Sequence, residues 1–347
     1  MGMGNPLLDI SATVGQDLLD KYDVKLDSAI LAEDKHQPLY QELVDKYDVQ
    51  YIAGGATQNS MRVAQWMLTS TAQKTNQVAF MGCVGGQDND KYAKQLQDCA
   101  NADGVLVHYQ KDPKAVTGTC AALILGGERA LVANLAAANN FTPSHLETPL
   151  AQEIVQSAKF YYCAGFFLTV SVESLVKVAT HACEQNKVFC LNLSAPFIVD
   201  FFTEQLSTAL EYADYVFGNE GEAKSFAVKF QINAGETTED LQAVAQYICK
   251  LPKKNANRPR TVIFTQGSKQ TIVCTSESSK EFPVEALAKD QLVDTNGAGD
   301  AFVGGFLSQL VQDKELETCV KAGHYAARYI IQQSGTTGLD KPAEFTP

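Results

Sequence analysis

The stretch DTNGAGDAFVGGF (residues 294–306) sets Gly297, Gly299, Gly304 and Gly305 around one carboxylate, Asp300, after a strand-like segment ending in Gln291-Leu292-Val293. From Asp300 onward Ala301, Phe302, Val303, Phe306, Leu307, Leu310 and Val311 recur at helical spacing, so the glycine-rich part reads as the entrance of an apolar helix. The first N–H groups of a helix have no internal partner, the helix dipole is positive there, and glycines let an anion approach the backbone. An Asp at such a place is commonly an N-cap. A cap alone does not call for Gly-Ala-Gly directly before it.

Outward from this stretch, short β-rich runs alternate with helical patterns: VAFM (78–81) before 91–100, KFYYC (159–163) before 172–183, VFCLNL (188–193), DYVF (214–217) before 221–227, and TVIFT (261–265) before the last two helices. The alternation predicts an α/β fold, a mostly parallel sheet with helices on both faces, which binds ligands at the carboxyl ends of its strands. Residues 117–135, TGTCAALILGGERALVANL, break the rhythm as two apolar runs around Gly126-Gly127, a hairpin signal. With residues 8–53, which also resist βα repeats, they are expected to form a small β-rich lid. The basic stretch 253–260 reads as a solvated surface turn.

The chain has 347 residues, 45% hydrophobic and 20% charged, enough for one large core and an appendage. A formal net charge of −12 opposes general attraction to nucleic acid or anionic membranes. Nine scattered cysteines without a CxxC support neither a disulfide framework nor a zinc site, and fit a reducing cytosol. No run reaches the ~18 apolar residues of a membrane span. GxxxxGK[ST], the protein-kinase HRD and DFG sets, and GxGxxG are absent; Gly82-Cys83-Val84-Gly85-Gly86 is a poor approach to the last.

Four polar clusters sit where strands end. Asn5 and Asp9 suit a carboxylate serving two sugar hydroxyls, or equally a turn-stabilising Asp. Gly54-Gly55 leads into a helix carrying Asn59 and can present N–H groups to a ligand, or simply turn the chain. Asn219 and Glu222 suit a hydrated Mg²⁺, or a helix cap. Thr265-Gln266-Gly267 can pass beside a nucleotide, or make a hairpin turn.

Taken together, NPLLDISA, AGGATQN, TGTCAA, NLAAAN, AGFFLTVS, LNLSAPF, FGNEGEA, VIFTQG and above all DTNGAGD resemble the ribokinase-like (PfkB-type) carbohydrate kinases over nearly the whole chain. The resemblance implies a three-layer α/β domain formed by residues 1–9, 56–116 and 136–347, with residues 10–55 and 117–135 as the lid. It implies transfer of the ATP γ-phosphoryl group to the 5′-hydroxyl of adenosine, with Mg²⁺ and a place for a monovalent cation such as K⁺ beside 294–296. Asp300 would be the general base, and Gly297, Ala298 and Gly299 the anion hole. Arg129 on the hairpin would reach the γ-phosphate, an exposed arginine without a role being the alternative. Asn5, Asp9, Gly54, Gly55 and Asn59 would face the nucleoside, Phe166 would stack on its base, and Leu31, Cys120, Leu131 and Phe197 would wall it. Thr265, Gly267, Asn296 and His324 would line the ATP site, and Asn219 and Glu222 would order Mg²⁺ through water. A monomer is expected, in the cytoplasm with the nucleus as a second compartment. Another nucleoside or sugar kinase of the same fold is the near alternative, and a nucleoside-binding protein without catalysis the more distant one. The family's first strand is expected to be short here, and Ala56 stands where relatives often carry Ser.

Overall fold

The computed structural model describes residues 1–26, 28–88, 90–126, 128–232 and 237–346. In chain order its strands are β1 (Gly2–Met3), β2 (Leu7–Thr13), β3 (Ala29–Leu31), β4 (Gln50–Gly54), β5 (Ala79–Gly85), β6 (Leu106–Asp112), β7 (Thr119–Leu125), β8 (Glu128–Asn134), β9 (Phe160–Ala164), β10 (Val188–Asn192), β11 (Tyr215–Asn219), β12 (Thr261–Gln266), β13 (Lys269–Cys274) and β14 (Ser279–Phe282). Nine of them form one sheet, ordered β14-β13-β12-β11-β10-β9-β1-β5-β6. It is parallel from β12 to β6, with β13 and β14 added antiparallel. The short β1 holds a central place between β9 and β5.

Period-two alternation along the buried strands supplies both faces of this sheet. Tyr161, Cys163, Phe189, Leu191, Val216, Val262 and Phe264 pack into one core, which holds Leu175, Ile198, Leu206, Phe226 and Val244 from helices on that side. Tyr162, Cys190, Phe217 and Ile263 pack into the other, with Met61, Leu96, Phe302, Phe306 and Val320. A strand buried on both sides needs an apolar residue at every position, which is why these runs read as unbroken hydrophobic stretches.

The helix Ala298–Leu310 lies in that second layer, packed between the helices Ala56–Ala72 and Leu316–Ile330. Two of the four glycines of the opening stretch belong to this packing. A Cβ on Gly304 would stand 2.6 Å from the Ser60 carbonyl oxygen, and one on Gly305 2.3 Å from that of Ala322. Only Gly297 and Gly299 remain for the helix entrance.

β3, β8, β7, β2 and β4 form a second sheet in that order, bringing the two irregular segments of the sequence together. The hairpin pairs Thr119 with Asn134 through to Leu125 with Glu128. Gly126 lies at its tip with φ 63°, while Gly127 falls outside the described residues. Ile10, Ala12, Ala121, Leu123, Ala130 and Val132 pack against the helices Gln16–Tyr22 and Gln37–Lys46. The alternate residues Leu7, Asp9, Cys120 and Leu131 line a cleft on the opposite face.

One local expectation fails and a second holds only in part. The segment before the glycine-rich stretch is not a strand: a 3₁₀ turn, Lys289–Gln291, is followed by irregular chain in which Leu292 and Val293 are exposed. The Val293 and Asp294 N–H groups donate to the Ile331 carbonyl instead of to a neighbouring strand. Residues 253–260 are a surface turn only in part: Lys254, Ala256, Asn257 and Pro259 are exposed, as expected, while Arg260 and Lys253 turn inward. Arg260 is 2% exposed and donates to five carbonyls, those of Ala213, Ile248, Leu251, Leu210 and Pro252. Lys253 donates to Asp214 at 2.6 Å. The charges of Lys253 and Arg260 are spent inside, tying the chain before β12 to the neighbouring helices, while Lys254 stays at the surface.

Candidate active site

A cleft of about 1380 Å³ opens between the two sheets, larger than the few hundred Å³ that one small ligand fills. Asp300 stands in the first turn of the helix Ala298–Leu310 and faces it. Its Oδ2 accepts a hydrogen bond from Asn59 Nδ2 at 3.1 Å, which ties the helix entrance to the helix Ala56–Ala72. Burial pushes the Asp300 carboxyl up to about 7; the Asn59 hydrogen bond opposes the rise and the neighbouring Asp9 charge adds to it. Asp9 is likewise pushed up to about 7 by burial, with Arg129 opposing and Asp294 adding. A Cβ on Gly299 would meet nothing within 4 Å, so the entrance offers open space beside its N–H groups.

Buried acceptors without donors gather nearby. Asn5 Oδ1 and Asn59 Oδ1 have no hydrogen-bond partner. Asn5 Nδ2 reaches the Phe166 carbonyl at 3.5 Å. Buried polar groups are seldom left unpaired in a folded chain, so these atoms point to a ligand rich in hydroxyls. Phe166, in the 3₁₀ turn Gly165–Thr169, and Phe197, at the start of the helix Pro196–Phe201, face each other at 6.0 Å. Leu31, Cys120 and Leu131 complete an apolar wall.

Thr265, Gly267, Asn296 and His324 line the same cleft, as do Asn219 and Glu222. Thr265-Gln266-Gly267 does turn a hairpin from β12 into β13 while facing the cleft. His324 Nε2 lies 2.8 Å from Thr271 Oγ1, and burial lowers its imidazole to about 4, so near neutrality it is uncharged. Asn219 and Glu222 form a capping box: Glu222 N–H donates to Asn219 Oδ1 at 2.9 Å and Asn219 N–H to Glu222 Oε2 at 3.0 Å. Burial pushes the Glu222 carboxyl up to about 7.

Two expected site residues stand behind the cleft. Gly54 backs Asp9, a Cβ there falling 2.4 Å from Asp9 Oδ1. Arg129 is neither exposed nor among the lining residues: 5% exposed, it forms an ion pair through Nη2 with Asp294 Oδ2 at 2.5 Å, and none of Nε, Nη1 and Nη2 makes a hydrogen bond. Residues that motif reading passed over also line the cleft, among them Asn192 and Ser194. Ser194 holds φ 72° and accepts from Gly165 N–H at 2.8 Å, a left-handed serine that no local signal announces.

Gly55 begins the helix Ala56–Ala72 at φ 96°, where a Cβ would lie 2.2 Å from the Asn5 carbonyl oxygen. Gly55→Ala is expected to cost about 1–3 kcal/mol or more in strain and displacement of Asn5, read as a lowered Tm. An unchanged melt would show that the turn relaxes freely.

A parallel sheet opening on a helix entrance, under a second sheet whose inner face carries the buried Asp9, sets a place for an anion beside a place for hydroxyls. The pfkB family carbohydrate kinase model matches residues 16–343, and the chain belongs to that family. It is 52% identical over 342 residues to adenosine kinase 1 of Arabidopsis thaliana, covering 99% of this chain and 96% of that protein. It is 45% identical over 334 residues to the adenosine kinase of Dictyostelium discoideum, covering 96% and 94%. Among solved structures, Anopheles gambiae adenosine kinase in complex with P1,P4-di(adenosine-5) tetraphosphate superposes with a TM-score of 0.93 at 49% identity, covering 99% of this chain and 98% of that one. Schistosoma mansoni adenosine kinase with 2-fluoroadenosine gives 0.91 at 36%, covering 98% and 97%.

Proposed function

We propose that this protein transfers the γ-phosphoryl group of ATP to the 5′-hydroxyl of adenosine, giving AMP and ADP. The carrying observation is that Asp300, raised toward neutrality and hydrogen-bonded by Asn59, shares one cleft with Asp9 and with the unpaired oxygens of Asn5 and Asn59. Adenosine kinases that align over almost their full length support the same substrate. The cleft has room for both substrates, and the related Anopheles enzyme holds a ligand with two adenosines.

In this reading Asp9 accepts from the ribose hydroxyls, with Gly55, Asn59 and Asn5 beside it and Gly54, lacking a side chain, leaving room for its carboxylate. Phe166 stacks on adenine between the walls of Leu31, Cys120, Leu131 and Phe197. Thr265, Gly267, Asn296 and His324 border the ATP, His324 as a neutral ring. Asp300 orients the 5′-hydroxyl and takes its proton as O5′ bonds to the γ-phosphorus and the bridging oxygen leaves with ADP. A carboxyl near 7 is a far better base at neutral pH than the unperturbed value of about 3.9 suggests. The N–H groups of Gly297, Ala298 and Gly299 receive the transferring phosphoryl group, and Arg129, held behind the cleft against Asp294 in the ligand-free chain, would reach its oxygens only after the hairpin moves. Residues 10–55 and 117–135 act as a lid over the remainder.

Mg²⁺ would arrive with ATP. Among the described residues no group of three His, Cys, Asp or Glu side chains is placed to hold a metal ion, which agrees with an ion carried mainly by phosphate and water. Asn219 and Glu222 both line the cleft and would order such an ion through water. Bound there, the ion supplies positive charge against the β- and γ-phosphates. A monovalent cation such as K⁺ would sit beside residues 294–296. A monomer in the cytoplasm and nucleus completes the proposal; all nine cysteines are free thiols, as in a reducing compartment, and no described helix is long and apolar enough to cross a membrane.

The direct test supplies ATP and Mg²⁺ with adenosine, 2′-deoxyadenosine, ribose or no acceptor, and measures AMP and ADP. Matched AMP and ADP formation with adenosine is expected, and phosphorylation confined to ribose overturns the reading. A second expectation concerns pH. The Asn59 hydrogen bond favours the ionised Asp300, so Asn59→Leu should move the acid limb of kcat/KM to higher pH while lowering the plateau. An unmoved limb would assign it to another group.

A further inference from the structure

Asp294 opens the glycine-rich stretch, yet the reaction above gives it no part. It is 1% exposed, and both carboxylate oxygens are engaged. Oδ1 accepts from Asn296 N–H at 2.9 Å, inside the turn that leads to Gly297. Oδ2 accepts from Gly335 N–H at 2.7 Å and meets Arg129 Nη2 of β8 at 2.5 Å, both side chains at most 4% exposed. One carboxylate thus joins the second sheet, the helix entrance and the loop after the last helix. That loop makes further contacts with the second sheet: Ser334 Oγ donates to Gln50 Oε1 of β4 at 3.2 Å, and Gly335 lies against Ile52.

We propose that Asp294 is a positioning residue, a clasp whose buried pair with Arg129 couples the seating of the second sheet over the cleft to the shape of the anion-binding turn. A buried charge is costly without its partner, so the pair is held or broken as a unit. The guanidinium meets Asp294 as an ion pair through Nη2 and makes no hydrogen bond through any of its three nitrogens, so a phosphoryl group that Arg129 reaches when the second sheet shifts competes with Asp294 for the same arginine. Arrival and departure of the phosphoryl group then bear directly on how firmly the second sheet is held. The kinetic consequence rests on the phosphotransfer reading; the clasp itself is a property of the ligand-free chain.

Hydrogen exchange followed by mass spectrometry on ligand-free protein separates the two. Asp294→Asn keeps the shape and an acceptor for Asn296 N–H but removes the charge. Exchange in β7 and β8 is expected to quicken by roughly 10-fold or more while β10–β12 stay as in the unaltered protein. Arg129→Lys, which keeps the charge but loses reach, is read the same way and serves should Asp294→Asn not fold. Unchanged exchange in β7 and β8, or an equal rise in β10–β12, overturns the clasp. With adenosine and ATP, Asp294→Asn should lower kcat with little change in the adenosine KM; normal kcat in a variant with a loosened second sheet overturns the coupling. If the unaltered protein makes no AMP, the phosphotransfer reading fails while the exchange result still decides the clasp.

Discussion

Asp300→Asn is expected to lower kcat by roughly 10²-fold or more while adenosine binding stays close to that of the unaltered protein. The substitution is isosteric, so the helix entrance and its contact with the helix Ala56–Ala72 keep their shape, but the proton acceptor is gone. Stability gives a second readout, which tests the raised pKa of the carboxyl. The folded carboxyl is held near 7, against 3.8 unperturbed. Between those values folded Asp300 keeps a proton that the unfolded chain has released, so its contribution to stability falls as pH rises through the window. Asn cannot ionise and escapes this loss. The Tm of Asp300→Asn relative to the unaltered protein should therefore climb between about pH 4 and pH 8. Turnover close to that of the unaltered protein removes Asp300 from the chemistry, and a flat Tm difference removes the raised pKa.

Asp9→Ala should raise the adenosine KM by roughly 10²-fold or more and erase most of the discrimination against 2′- and 3′-deoxyadenosine. A site built to pair hydroxyls rejects analogues lacking them because its own buried group is left unpaired, and without the carboxylate that penalty disappears. Asp9 also raises Asp300, so its loss should shift the acid limb of the pH profile downward, opposite to Asn59→Leu. If the variant separates the deoxy analogues as sharply as the unaltered enzyme, Asp9 serves the second sheet rather than the sugar.

Much of the architecture could be read before any coordinates because the rules that produce it are local. Unbroken apolar runs at β9–β12 specify strands buried on both faces, and the 117–135 hairpin shows in its alternation. The DTNGAGD entrance shows in glycines next to a helical period. The polar clusters of the cleft followed from the same local motifs, since βα topology places strand ends together, whereas Leu31, Cys120, Leu131, Phe166, Phe197, Asn296 and His324 came only with the family resemblance.

What local rules do not reach is the partner of a buried charge. Arg129 sits on an apparently exposed hairpin, and only the docking of the second sheet brings it to Asp294. Arg260 reads as part of a soluble turn until neighbouring helices surround it with carbonyls. Gly304 and Gly305 look like part of an anion site until the flanking helices come within a methyl's reach. The pKa values of Asp9, Asp300 and Glu222 have the same origin, because burial is set by the whole fold. The sequence alone therefore determined the strands, the helices and the chemical groups at their junctions, where pattern and propensity act over a few residues. Tertiary structure alone decided which of those groups are desolvated and paired, because that free energy depends on contacts between segments far apart in the chain.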